Sequence, residues 1–126
     1  MGKPESFEEL IVWQKSMRLV TELYRICQEG LLSKDWGLRD QMQRAAVSVP
    51  ANIAEGYERD SKKELIHFLR IAKGSAGELR CLLCVASSLK YADEEAAENL
   101  ICDISEISRM LRAMANSIAQ RLSTSK

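Results

Sequence analysis

Two prolines, one histidine and seven aromatic residues are all that this 126-residue chain holds of the types that punctuate turns, ligate metals or wall large pockets. A single histidine, His67, cannot supply the Glu-x-x-His motif on two helices that a di-iron bundle requires. Nor can it complete a zinc site, since Cys81 and Cys84 form one C-x-x-C with no second pair. All-helical ribonucleases of the toxin type space Arg and His by four to six residues, whereas Arg59 and His67 have seven between them. A glycine-rich phosphate loop and a nucleophile elbow are also missing. The expectation is a protein that is not an enzyme and takes no cofactor or metal. No apolar run approaches the roughly 20 residues of a membrane span. No basic segment followed by an apolar one marks a secretory signal, so a cytosolic location is expected. Cys27, Cys81, Cys84 and Cys102 are then expected to be reduced thiols that serve as small buried apolar side chains. An excess of one charge is lacking too, with 18 basic and 18 acidic residues. That balance argues against the broad electrostatic footprint of a dedicated nucleic-acid binder. Residues 35–90 are net +2 and residues 91–126 net −2, a mild asymmetry.

What the chain does contain is helical periodicity. Ser6 with Glu9 forms a capping box for a first helix. Leu10, Trp13, Met17, Val20, Tyr24 and Cys27 then recur at the three-four spacing of one buried seam. Gly30 ends that helix, and residues 31–36 make a short connection with Ser33 or Asp35 as the next cap. A second helix carries Leu38, Met42, Ala45, Val49, Ile53 and Tyr57. Ser61 and Glu64 make another capping box. The third helix buries Leu65, Phe68, Leu69, Ala72, Ala76, Leu79, Leu83, Ala86 and Leu89. Asp93 caps a fourth, whose seam is Ala97, Leu100, Ile104, Ile107, Leu111, Met114 and Ile118. Strand alternation is absent over any useful length. Four amphipathic helices with short connections predict an all-α, antiparallel up-down four-helix bundle. One domain is expected over residues 7–122, with flexible tails at 1–6 and 123–126. Ile11, Val12, Leu19, Leu23, Ile26, Leu82, Ile101 and Met110 fall off these seams. Their excess predicts a second buried face, hence self-association.

The stretch AAVSVPANIAEGYE (45–58) is the most informative segment. Pro50 removes a backbone donor inside a helical pattern, so the second helix is predicted to bend or break there. Arg44, Ser48, Asn52 and Glu55 share one face around it. Gly56 lies near the end of this helix, and Gly74, Ser75, Gly77 and Glu78 form a small and polar patch on the third. Small residues on both helices would allow close approach, with Glu78 meeting Arg44 or Asn52 satisfying carbonyls freed at Pro50. The favoured reading is an interhelical or inter-subunit hydrogen-bond network that fixes register, rather than a catalytic site. Arg39, Arg59, Lys62, Lys63, Arg70 and Lys73 are the candidate nucleic-acid contacts. Glu58, Asp60 and Glu64 interleave with them, so a solvated helix end is the plainer reading.

FEELIVWQK (7–15), QMQRAAVSVPANIAEG (41–56) and FLRIAKGSAGEL (68–79) resemble the bacterial four-helix bundle family named for proteins encoded in intervening sequences of 23S ribosomal RNA genes. The likeness runs from about Phe7 to Leu122. It extends to the accessory variability protein of diversity-generating retroelements. The resemblance implies a cytosolic bundle that assembles as a homopentamer. It assigns no catalytic role to Ser48, Pro50, Asn52, Glu55, Gly56, Gly74, Ser75 or Glu78. The retroelement relative is strongly basic and works beside a reverse transcriptase, whereas this chain is neutral. The expected function is therefore a non-enzymatic homo-oligomeric scaffold or a module that binds a protein partner. The alternative is an RNA- or DNA-binding accessory protein, for example one acting with a reverse transcriptase.

Overall fold

Short polar signals set where the helices begin. The structure, a computed structural model, describes residues 5–124. It contains α1 (Ile11–Cys27), α2 (Trp36–Glu58), α3 (Lys62–Ser88) and α4 (Glu94–Thr124), with no strand among the described residues. Asp35 accepts the Leu38 N–H at 3.1 Å, Ser61 that of Glu64 at 3.3 Å and Asp93 that of Ala96 at 3.1 Å. Each satisfies a donor left orphaned in a first helical turn. The Ser6–Glu9 box closes a separate 3-10 turn, Phe7–Glu9, instead of opening α1. Leu10 is extended between the two (φ −75°, ψ 128°), so the predicted first helix is two elements. The connection after α1 is also more than a link. Gly30, with φ +56°, starts a 3-10 turn (Gly30–Lys34) that sends Leu32 fully into the core. Lys90 adopts the left-handed conformation beyond α3 (φ 59°), and the Tyr91 N–H reaches back to the Ala86 carbonyl at 2.9 Å. This is the six-to-one bond of a Schellman closure. α4 continues through Ser123 to Thr124, two residues that sequence assigns to a frayed tail. Residues 1–4 and 125–126 of the expected tails lie outside the described residues.

The bundle is closed in the order α1, α2, α3, α4, with α3 in long contact with both its neighbours and α1 in shorter contact with α2 and α4. The core is aliphatic: Leu23, Met42, Ile53, Leu69, Leu79, Leu83, Ile104, Ile107 and Leu111 are fully buried. In α2, α3 and α4 most buried residues follow the predicted seams, but Leu89 lies beyond the end of α3 and is 49% exposed, and Ala115 is buried in place of the half-buried Met114. In α1 the phase is different. Val12, Ser16, Leu19, Leu23, Ile26 and Cys27 are buried, whereas Met17 and Tyr24 of the predicted seam are exposed. Two apolar stripes about 100° apart run along this helix with the same period. Period alone does not say which stripe faces inward. Ser16 tolerates full burial by donating its hydroxyl to the Val12 carbonyl at 2.7 Å. Burial pushes the Cys27 thiol up to about 11. Cys81, Cys84 and Cys102, expected to be buried, are exposed. They sit on the outward arcs of α3 and α4, where a small weakly polar side chain is tolerated in water.

Candidate functional site

α2 and α3 meet through small and hydroxylated residues, and the polar stripe read from sequence is brought to that seam. Ser48 Oγ on α2 lies 2.8 Å from Ser75 Oγ on α3. Asn52 donates its side-chain N–H to Ser48 Oγ at 2.9 Å and to the Ser48 carbonyl at 2.8 Å. Because Ser48 Oγ already accepts from Asn52, its own proton is available for Ser75. A hydroxyl has one donor and two acceptor positions, so the chain Asn52 to Ser48 to Ser75 is consistent throughout. Either hydroxyl of the Ser48–Ser75 pair can be the donor, and an open groove lies beside Ser75.

That groove holds about 460 Å³ and is lined by Gly37, Asp40, Gln41, Arg44, Ala45, Ser48, Ser75 and Glu78. Sequence reading named Arg44, Ser48, Ser75 and Glu78; it missed Asp40 and Gln41. Their signal was present, since residues 40, 44 and 48 are successive helical turns apart along α2 and residue 41 is one turn before 44. Arg44 and Glu78 line the same groove without forming an ion pair. The ion pairs among the described residues are Lys15–Glu106, Glu22–Arg25, Arg25–Glu29 and Glu55–Arg59. Asp40, Gln41, Arg44 and Glu78 thus present two carboxylates, an amide and a guanidinium with no partner among the described residues. The arrangement can pair charges and hydrogen bonds with another surface.

The other predicted positions have structural employment. α2 passes through Pro50 without interruption, so the helix is not broken there. Asn52 bonds the carbonyl of Ser48. The carbonyl deprived of its donor by Pro50 is that of Ala46, so the expected rescue is not made. Glu55 pairs with Arg59 at 2.8 Å, and the Arg59 guanidinium lies 5.1 Å from the Phe68 ring centre. Gly56 is buried where α2 and α3 converge: a Cβ there would fall 2.8 Å from Phe68 Cβ and 3.3 Å from the Leu65 carbonyl oxygen. Gly74 and Gly77 differ, since nothing lies within 4 Å of a Cβ built on either. They do not mediate close approach inside the bundle, contrary to the sequence expectation.

The candidate nucleic-acid contacts are split in the same way. Arg39 donates to the Ser33 carbonyl at 3.0 Å and lies over the Trp36 ring, closing the turn before α2. Arg59 is engaged as described. Lys62 and Lys63 are exposed at the start of α3, and Arg70 and Lys73 lie further along, beside α4. His67 is exposed, with its ring 5.3 Å from that of Phe68.

The family model described as 23S rRNA-intervening sequence protein matches residues 8–113. The chain belongs to this family. A crystal structure of a protein of unknown function from the S23 ribosomal protein family of Bacteroides thetaiotaomicron VPI-5482 is similar to it. The two share 25% identity and superpose with a TM-score of 0.77 over 83% of this chain and 98% of that one. Comparison with the curated proteins gives no match. The family is thus a structural placement, and the α2–α3 seam lies within the matched span. No helix among the described residues is long and apolar enough to cross a membrane.

Proposed function

We propose that this member of the 23S rRNA-intervening sequence protein family is a cytosolic, non-enzymatic scaffold that self-associates through the outer flank of α1 and α2. The observation that carries the reading is a second apolar stripe on α1 that packs against the core through Trp13 and Val20 and reaches solvent through Met17 and Tyr24. Trp13, Met17, Val20 and Tyr24 share one face of α1, with Met17 40% and Tyr24 38% exposed. Lys15, Arg18 and Glu22 occupy the opposite flank, where they line a pocket with Asp103 and Glu106 of α4. The stripe is therefore on the α2 side, where Val47 of α2 is 42% exposed, and Trp36 at the start of α2 is 69% exposed. Contiguous apolar patches of this kind on soluble proteins mark association surfaces.

Groove residues Asp40, Gln41, Arg44 and Glu78 supply the polar complement that gives such a surface register and specificity. An up-down antiparallel course is supported by the ion pair of Lys15 with Glu106 and by Ile26 lining one pocket with Ala96 and Leu100. A bend at Pro50 would tilt the first half of α2 towards a neighbouring copy, and a ring of five accords with the resemblance noted above. The test is the solution mass by light scattering of the intact chain. A multiple of 14.2 kDa is expected, with Met17→Glu combined with Val47→Glu reducing it to one copy while helicity is retained. A wild-type mass of one copy at micromolar concentration overturns the reading.

A further inference from the structure

We propose that the groove between α3 and α4 is an anion-binding surface for the phosphate backbone of single-stranded nucleic acid. Arg112 is its key residue. The groove has a volume of about 330 Å³ and is lined by Leu69, Arg70, Lys73, Gly74, Leu111, Arg112, Ala115 and Asn116. Three cations and an amide converge there with no carboxylate. None of Arg70, Lys73 and Arg112 has an ion-pair partner among the described residues. Gly74 keeps the floor open, because nothing stands within 4 Å of where its Cβ would be.

The neutral charge of the whole chain conceals this site, because the acids nearest to it along the two helices are turned elsewhere, while Glu94 and Glu98 of α4 lie about four to five turns before Arg112. On α4, Glu95 and Asp103 line the α1 side, and Glu106 is bound to Lys15 at 2.8 Å. On α3, Glu78 belongs to the α2 side. The basic character continues past the groove. Arg80 is two turns from Lys73 on the same face of α3, whereas Arg109, one turn from Arg112, lies near the Glu106 carboxylate. From Arg70 to Arg80 this line extends about 15 Å along α3. A single phosphate-sized anion would meet only part of it; a strand of successive phosphates would use its length. Planar guanidinium groups match phosphate oxygens in pairs, which favours arginine in this role. Sequence reading found Arg70 and Lys73 but grouped them with Lys62 and Lys63, and it gave α4 only a packing role.

Binding of a labelled single-stranded RNA oligonucleotide, followed by fluorescence anisotropy on the full chain, tests the assignment. The expected result is binding at low salt that weakens as salt rises. Arg112→Gln should weaken it roughly tenfold, the worth of one charge-assisted hydrogen bond. The same change should lower the salt slope by about 1. Arg112→Lys should restore part of the loss, while Lys63→Gln should leave binding within about twofold, as expected of a charge making no direct phosphate contact. Arg112 is exposed, so its loss should not disturb folding, and an unchanged helical spectrum and solution mass check this. Three outcomes overturn the proposal: no RNA retained at low salt, loss on Lys63→Gln with none on Arg112→Gln, or competition by polyglutamate equal to that by RNA. The last would make the groove a dock for acidic protein segments. The measurement is separate from the mass by which self-association is judged, so either reading can fail alone.

Discussion

α2 and α3 converge on Ala45, Ser48, Gly56 and Ser75, whereas α1 enters the core with Val12, Leu19, Leu23 and Ile26. In the first region the backbones come close enough that a single methyl group at Gly56 would meet Phe68 Cβ at 2.8 Å. In the second, large branched side chains fill the space, and a second apolar stripe is left over on the outside. Close approach fixes register sterically and by the hydroxyl pair of Ser48 and Ser75. Burial of branched side chains supplies more free energy per residue but tolerates more than one arrangement. The inflexible seam is therefore suited to hold the fold while the outer flank of α1 is free to serve association.

The largest effect should come from exchanging the two stripes of α1. Leu23→Ala removes a fully buried side chain and should lower stability by about 2–5 kcal/mol in denaturant unfolding. Met17→Ala, on the outer stripe, should change the stability of the isolated subunit by less than about 0.5 kcal/mol, as surface substitutions do. Its effect should appear instead in the solution mass. Equal losses for the two would show that α1 has no distinct inner face.

The end of α1 allows a second measurement. The Cys27 thiol titrates near 11 in the folded chain because burial disfavours the thiolate, against an ordinary value of 9.0. A raised acid pKa means that the neutral thiol is favoured in the folded state. The resulting stability is fully present below about pH 9 and is lost as pH rises through 11. The rise from 9.0 to about 11 corresponds to roughly 2–3 kcal/mol. Unfolding free energies of wild type and Cys27→Ala, compared from pH 8 to 11, should converge or cross as the pH rises. Parallel curves would mean that the end of α1 is wet.

The glycines sharpen the contrast on the side of α2 and α3. Gly56→Ala should cost about 1–3 kcal/mol through overpacking, partly offset by better helix propensity. Gly77→Ala meets open space and should raise stability by about 0.5–1 kcal/mol through propensity alone. Opposite signs in the unfolding midpoints are the expected outcome. A stabilising Gly56→Ala would show that α3 can move away and that steric fit does not set the seam.

Much of this architecture was legible in the residues. Asp35, Ser61 and Asp93 announced three helix starts because a capping side chain acts within one turn of its own position. The seams of α2, α3 and α4 were legible because each has one apolar stripe opposite a polar one. α1 was misread in phase because its two stripes are equally apolar, and only the placement of α2 and α4 chooses between them. The Ser48–Asn52 pair followed from spacing within a helix. The contact with Ser75, the groove residues Asp40 and Gln41, and the meeting of Arg112 with Arg70 and Lys73 depend on which helices are neighbours. Local periodicity carries no such information. The buried Leu32 was hidden in the same way, inside a connection that looked like a turn.

The smallest predicted effect addresses the hydroxyl pair directly. Ser75→Ala leaves the Ser48 hydroxyl without its partner and should cost about 0.5–1.5 kcal/mol, the net worth of one hydrogen bond. Asn52 still donates to Ser48 Oγ in that variant, so the remaining network is not dismantled. Ser48→Ala removes both the cross-helix contact and the acceptor for Asn52, and should cost more. If the pair couples α2 to α3, the double variant should be less destabilised than the sum of the singles, with the difference measured as an interaction energy in a double-mutant cycle. Strict additivity would mean that Ser48 and Ser75 are merely adjacent, and that small side-chain volume alone holds the seam.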